Sequence, residues 1–234
     1  PVADNYTVTA TFTSLSPIAL LQPYVKYNVQ INDQGERILY VDGKNVNAKN
    51  LNAGTSYAND PVQAFVYEDD AGSVIAYISG EGSTKNIYPL LNDYSWYAVS
   101  KIVFGEGITS IGQTNIIHNE NLSIEISSTV ETIENNAFAY LGIANIKYHP
   151  LGNLKTIKSG AFMGHYLTKI YIPKSVQSVE PGAFESINTC VEKITLEYGS
   201  KYFMVSGNCL IEKATKTIVL LAYDFEIPDW DRVA

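Results

Sequence analysis

The side chains of this chain that could ligate a metal, move a proton or attack a carbonyl are few. They are three histidines (His118, His149, His165), two cysteines (Cys190, Cys209) and two acidic clusters, Glu68-Asp69-Asp70 and Asp224, Glu226, Asp229, Asp231. Carboxylates so grouped can hold a hard cation such as calcium, but an ordered carbonyl-and-carboxylate loop is not recognisable around either, and a solvated hairpin turn accounts for the first. The sequence has no G-x-S-x-G, H-E-x-x-H, P-loop or C-x-x-C. No catalytic, cofactor-binding or metal-binding residue is assigned, and the chain is read as a non-enzyme. The cysteines, 19 apart, are too sparse for a disulfide scaffold. They fit two buried thiols acting as small hydrophobes; a bridge would require the segment around Cys209 to fold back.

The chemistry that remains is recognition, and what positions it is a repeated phrase. GITSIG (107–112), TVETIENNAF (129–138), LKTIKSGAF (154–162) and SVQSVEPGAF (175–184) share one register. Ile111, Ile133, Ile157 and Val179 are spaced by 22, 24 and 22, and Phe138, Phe162 and Phe184 by 24 and 22. Phe104, Ile126, Tyr148, Ile172 and Leu196 follow at 22, 22, 24 and 24. A period of this length marks a solenoid. The runs SIEIS, KIYIP and KITLE alternate apolar with polar residues, the period of a strand with one buried face. Each unit reads as a strand, a turn, a shorter strand and a tight helical or 3₁₀ segment that drops Ala and Phe into the core. One unit cannot bury its apolar face alone, so neighbours must stack.

The pattern I-x-I-P/S-x-x-V-x-x-I-x-x-x-A-F, clearest in IYIPKSVQSVEPGAF (170–184), resembles the BspA-like class of leucine-rich repeats. YFMVSGNCLIEKATKTIVLLA (202–222) is similar to a hairpin that often interrupts those repeats, and residues 72–104 to a capping segment that often precedes them. The resemblance implies a secreted or surface-attached bacterial protein that adheres to host matrix or to other cells.

If the apolar strand residues point inward, stacking builds outward columns: Val103, Glu125, Lys147, Tyr171, Thr195; Lys101, Ser123, Asn145, Lys169, Lys193; and Gly105, Ser127, His149, Pro173, Glu197. The lysines make this face basic within a chain of net charge −8. Solenoid faces serve as extended binding surfaces, so Glu125, Lys147, Lys169, Tyr171 and Lys193 are the partner-binding candidates. A solvated face with Glu125 and Lys147 as a cross-strand charge pair is the plainer alternative.

Composition excludes other classes. Hydrophobic residues at 46% and charged ones at 17% describe an ordered chain, and the acidic balance lacks the cationic footprint of a nucleic-acid binder. No apolar run approaches the roughly 18 residues of a membrane-spanning helix. The chain starts at Pro1, as a mature or trimmed one would. The fold expected is mainly β with short helical segments: a β-rich region over 1–71, a cap over 72–95, and repeats over 96–234 with the hairpin insertion and a truncated last repeat at FEIPDW (225–230). YTVTATF (6–12) and YVKYNVQI (24–31) alternate as strands, SLSPIALLQP (14–23) is a short helix or crossover, and 45–61 is a loop. The N-terminal strands would form a small sandwich or a sheet packed on the array. The partner would be a protein or glycan on a host or neighbouring cell, with no cofactor. Alternatives are a carbohydrate-binding module using Tyr171, Trp96 or Trp230, and an enzyme with its site between the N-terminal sheet and the array.

Overall fold

The computed structural model of the chain describes residues 25–53, 56, 60–84, 98–114, 120–164, 167–185 and 191–228. The expected strand at 6–12, the segment 14–23, Trp96, Trp230, His118, His165, Cys190, Asp229 and Asp231 lie outside them.

Strands β1 (Tyr27–Ile31), β2 (Arg37–Val41) and β3 (Lys44–Asn45) form a small antiparallel sheet. Its turns are the ones the Asn-Asp-Gln-Gly and Asp-Gly pairs demand, with Gly35, Asp42 and Gly43 at positive φ. β4 (Lys49–Asn50) arises within the segment expected to be loop, and pairs with β5 (Val62–Glu68). β5 pairs antiparallel with β6 (Val74–Gly80), from Val62↔Gly80 to Glu68↔Val74. The boundary proposed at 71/72 thus falls in the turn of one hairpin. β5 could not end a separate unit because both its faces are covered: Val62, Ala64 and Val66 join the main core, Phe65 and Tyr67 a second one.

After β7 (Gly82–Ser83), β8 (Val99–Phe104) runs parallel beside β6 and starts the rungs. The solenoid continues with β9 (Ile108–Ile111), β10 (Glu120–Ile126), β11 (Thr132–Ile133), β12 (Gly142–Tyr148), β13 (Thr156–Ile157), β14 (Lys169–Ile172), β15 (Ser178–Val179) and β16 (Lys193–Leu196). The short strands stack in the order β7-β9-β11-β13-β15. The predicted register is the observed one: Ile124 faces Ile102, Ile126 faces Tyr148, and Ile133 faces both Ile111 and Ile157. The main core holds the predicted columns, including Phe104, Phe138, Phe162 and Phe184.

The helical segments expected before Ala-Phe are not helices. Among the described residues there is no α-helix, and 135–140, 159–164 and 181–185 are turns. Alternate N–H groups explain why. Ala137, Ala139 and Leu141 donate to the carbonyl three residues back, while Asn136, Phe138 and Tyr140 donate to Ser159, Ala161 and Met163 of the next unit. Gly160, Phe162 and Gly164 repeat this toward Gly182, Ala183 and Glu185. Half the donors a helix would use internally are spent between units, so this edge is a hydrogen-bonded stack of its own. The turn also needs a left-handed residue before Ala-Phe, which Asn136, Gly160 and Gly182 supply at φ 55°, 68° and 78°.

The interrupting hairpin is present as a three-stranded antiparallel sheet of β17 (Phe203–Ser206), β18 (Cys209–Glu212) and β19 (Thr217–Leu221). Asn208, in its first turn, accepts from Ile194 N and donates to Glu192 O, so its side chain meets the backbone at the start of β16. Cys209 is a buried free thiol packed with Ile211. Phe225–Pro228 form no strand.

Candidate functional site

The outward face of the long-strand ladder is divided in two by what covers it. At its start the outward residues are apolar, Phe65 and Tyr67 on β5, Ile75 and Tyr77 on β6, and Val103 on β8. The β1–β3 sheet lies over them through Leu39, Tyr27, Val29 and Val41. Tyr27 stacks on Tyr77 at 4.4 Å between centroids, and burial drives the Tyr27 hydroxyl far above its ordinary pKa. Beyond Val103 the outward column becomes Glu125, Lys147, Tyr171 and Thr195.

Glu125 sits between two lysines, 3.3 Å from Lys101 Nζ and 3.7 Å from Lys147 Nζ, with 15% of its side chain exposed. The predicted Glu125–Lys147 cross-strand pair is there, and Lys101 completes a triad. Lys169 and Lys193 stand directly opposite one another in register on β14 and β16, both exposed, and Tyr171 stands opposite Thr195. Among the described residues neither Lys169 nor Lys193 forms an ion pair. The five candidates therefore fall into two groups: Glu125 and Lys147, held in a triad with Lys101, and Lys169, Tyr171 and Lys193, whose lysines form no ion pair among the described residues.

Between the groups the ladder is broken. The six-stranded sheet ends at β12, and β14 and β16 form a separate two-stranded sheet. Two sequence features mark the joint. Gly105, His149 and Glu197 each donate the N–H after the strand to the preceding rung, at Ile78, Ile126 and Ile172. The same position on β14 is Pro173, which has no N–H; Ser127 after β10 makes no such bond among the described residues, yet β8 and β10 remain paired, so the lost donor alone does not break the ladder. In addition, seven positions separate Phe104 from Ile111, Ile126 from Ile133 and Ile172 from Val179, but nine separate Tyr148 from Ile157. The extra residues lengthen the turn at Pro150–Asn153, where Leu151 N donates to His149 Nδ1 and Gly152 N to His149 O.

The break opens a cleft of about 240 Å³ lined by Tyr148, His149, Tyr171, Pro173, Lys174 and Glu197 among others. The Tyr148 and Tyr171 rings lie 6.2 Å apart, tilted by 39°. Burial pushes Tyr171 up to about 12, helped by its hydrogen bond to Glu197. Burial alone would raise Glu197, but the side-chain and backbone N–H bonds of Lys174 outweigh it and hold this carboxyl below its ordinary range. Sequence reasoning missed this cleft, although the nine-residue spacing and Pro173 were its signals. Of the other candidates, Asp69 bonds the backbone of its own turn at Ala71 and Ser73. Among the described residues no His, Cys, Asp and Glu side chains converge as a metal site, and no helix is long and apolar enough to cross a membrane.

A family model for the BspA type leucine-rich repeat region matches residues 91–209, in six copies. The chain belongs to this family. The BspA-type repeats thus span just over half of the chain, and the match includes every rung from β8 to β16. No curated protein sequence matches the chain. Among solved structures, a leucine-rich repeat protein from Eubacterium ventriosum is similar at a TM-score of 0.52 and 19% identity, over 76% of this chain and 52% of its own. The pneumococcal vaccine antigen PcpA follows at 0.46 and 14%, covering 70% and 55%. A leucine rich cell surface protein from Faecalibacterium prausnitzii follows at 0.39 and 16%, covering 71% and 63%. The chain spans about half the length of the Eubacterium protein, whose likeness at this identity concerns the fold alone.

Proposed function

We propose that this chain is a secreted or cell-surface binding protein that engages an acidic protein surface on a host or neighbouring cell through the open part of its ladder face. The contacts are Lys169, Lys193 and Tyr171, with Lys147 and Glu125 at the margin. The carrying observation is the in-register Lys169–Lys193 pair. Like charges directly opposite on neighbouring strands repel, and an acidic partner converts that repulsion into attraction. The mechanism is rigid multipoint recognition without covalent chemistry, and the association of BspA-like repeats with bacterial surfaces supports the location. A screen of the purified chain against arrayed matrix proteins and glycans, at low and high salt, tests it. The reading expects a protein hit that weakens with salt and on reversal of Lys169 and Lys193. Binding indifferent to both would contradict it. A second reading, recognition of a neutral glycan, is favoured by the half-exposed Tyr171 beside the cleft.

A further inference from the structure

The break between β12 and β14 is more than an interruption of hydrogen bonding. Its walls are the rings of Tyr148 and Tyr171 and the prolines Pro150 and Pro173, all lining the same cleft. Drug-sized pockets occupy roughly 300–1,000 Å³. A cleft of about 240 Å³ falls below that range and admits one small ring.

The polar groups in it are balanced in charge. Glu197 accepts from Lys174 Nζ at 2.9 Å and from Lys174 N at 3.1 Å, and is also hydrogen-bonded by the Tyr171 hydroxyl. No net charge is left to select an anion or a cation. Ser175 also lines the cleft, and its hydroxyl has no hydrogen-bond partner among the described residues. An unpaired buried hydroxyl is unfavourable, and turning it toward a ligand breaks no existing bond. Apolar faces for C–H groups, a carboxylate with remaining acceptor capacity and an uncommitted hydroxyl together match a ring carrying equatorial hydroxyls.

We propose that this cleft binds a single neutral pyranose ring, as a terminal or branching residue of a glycan. The site is shaped by the turn after β12, two residues longer than its counterparts, with Pro173 forming part of the facing wall. It rests on the second reading above, recognition of a neutral glycan, and gives that reading a place and a single sugar unit; from the lysine-based recognition it is separate, being formed on the turn side of the rungs with its charges neutralised and sharing only Tyr171.

The test is a titration of the full chain with the methyl pyranosides of glucose, galactose, mannose and N-acetylglucosamine, followed by saturation-transfer NMR at low and high salt. At least one sugar should bind, with an affinity unchanged by salt. Tyr171→Ala should weaken it at least about tenfold, equivalent to about 1.4 kcal/mol. Ser175→Ala should weaken binding while leaving the fold as stable as before or more so. Deleting Leu151 and Gly152, which restores the seven-residue spacing, should abolish binding with the β circular dichroism retained. Lys169→Glu with Lys193→Glu should leave sugar binding intact, which separates this site from the lysine pair. Silence toward all four sugars, or binding that survives Tyr171→Ala and the deletion, would overturn the proposal.

Discussion

Phe162→Ala is the substitution whose cost the broken ladder makes most informative. Phe162 is fully buried, 5.4 Å from the Phe138 ring and 5.2 Å from the Phe184 ring, the latter pair stacked at 9°. Phe162 belongs to the unit of β12 and Phe184 to that of β14, so their stack spans the joint where the long-strand ladder is missing. What else crosses there includes the β13–β15 pair, the turn-edge bonds Gly160 N to Gly182 O, Phe162 N to Ala183 O and Gly164 N to Glu185 O, the bond from Ser159 N to Glu180 Oε2 and the Tyr148–Tyr171 ring contact. Truncating a buried Phe costs about 3–5 kcal/mol. Two ring partners, each worth about 0.5–1.5 kcal/mol beyond area, place this one at the upper end. Because solenoid cooperativity depends on the interface between neighbours, Phe162→Ala should also lower the urea m value or split the transition. Phe138→Ala, flanked by intact ladder, should cost as much and keep one transition. Urea unfolding followed by circular dichroism measures both. A Phe162→Ala cost below about 2 kcal/mol, with one transition of unchanged slope, would refute the idea that the aromatic column holds the joint.

Three further outcomes follow from other contacts. Gly160→Ala places a methyl 2.0 Å from Asn136 Oδ1 at positive φ, whereas at Gly182 the nearest atom is Ser159 Oγ at 3.3 Å. Thermal melts should therefore show Gly160→Ala more destabilising than Gly182→Ala, by at least about 1 kcal/mol. Leu39→Ala should cost the β1–β3 sheet about 2–5 kcal/mol of docking. In hydrogen exchange, amides of 27–45 should lose protection while those of β10 to β16 keep theirs. Glu197 is held below its ordinary pKa, so its contribution to stability is full above the unfolded value near 4.5 and is lost as pH falls through the lower folded value. Lys174→Met should move its NMR titration midpoint upward and remove this part of the acid sensitivity.

How much was legible in the sequence depends on what the repeat encodes. Columns such as Ile111, Ile133, Ile157 and Val179 are fixed by burial, and burial leaves a periodic trace in residue type, so rungs and register followed directly. The compact, turn-like composition of the Ala-Phe segment suits a helical turn; the choice of Asn136, Phe138 and Tyr140 to donate to the next unit lies in tertiary pairing, which residue type does not reveal. Val103 looked like an outward residue, and it is one, but the sheet that covers it comes from Tyr27–Asn45, outside the period. Glu125 and Lys147 were legible as a pair, while their separation from Lys169, Tyr171 and Lys193 was not. Pro173 occupies a position where a proline is compatible with a strand end, and the two additional residues after Tyr148 were absorbed into the period as ordinary spacing.

The central claim is that the open ladder face recognises acidic surfaces through Lys169 and Lys193. It is tested most directly by NMR titration of the isotope-labelled chain with polyglutamate at low and high salt, on wild type, Lys169→Glu/Lys193→Glu and the control Lys44→Glu on β3. The account predicts shifts centred on Lys169, Tyr171 and Lys193 that vanish with salt and are lost in the double reversal, with affinity falling at least about tenfold, while Lys44→Glu behaves as wild type. Shifts spread evenly over all exposed lysines, or unchanged by the double reversal, would contradict it.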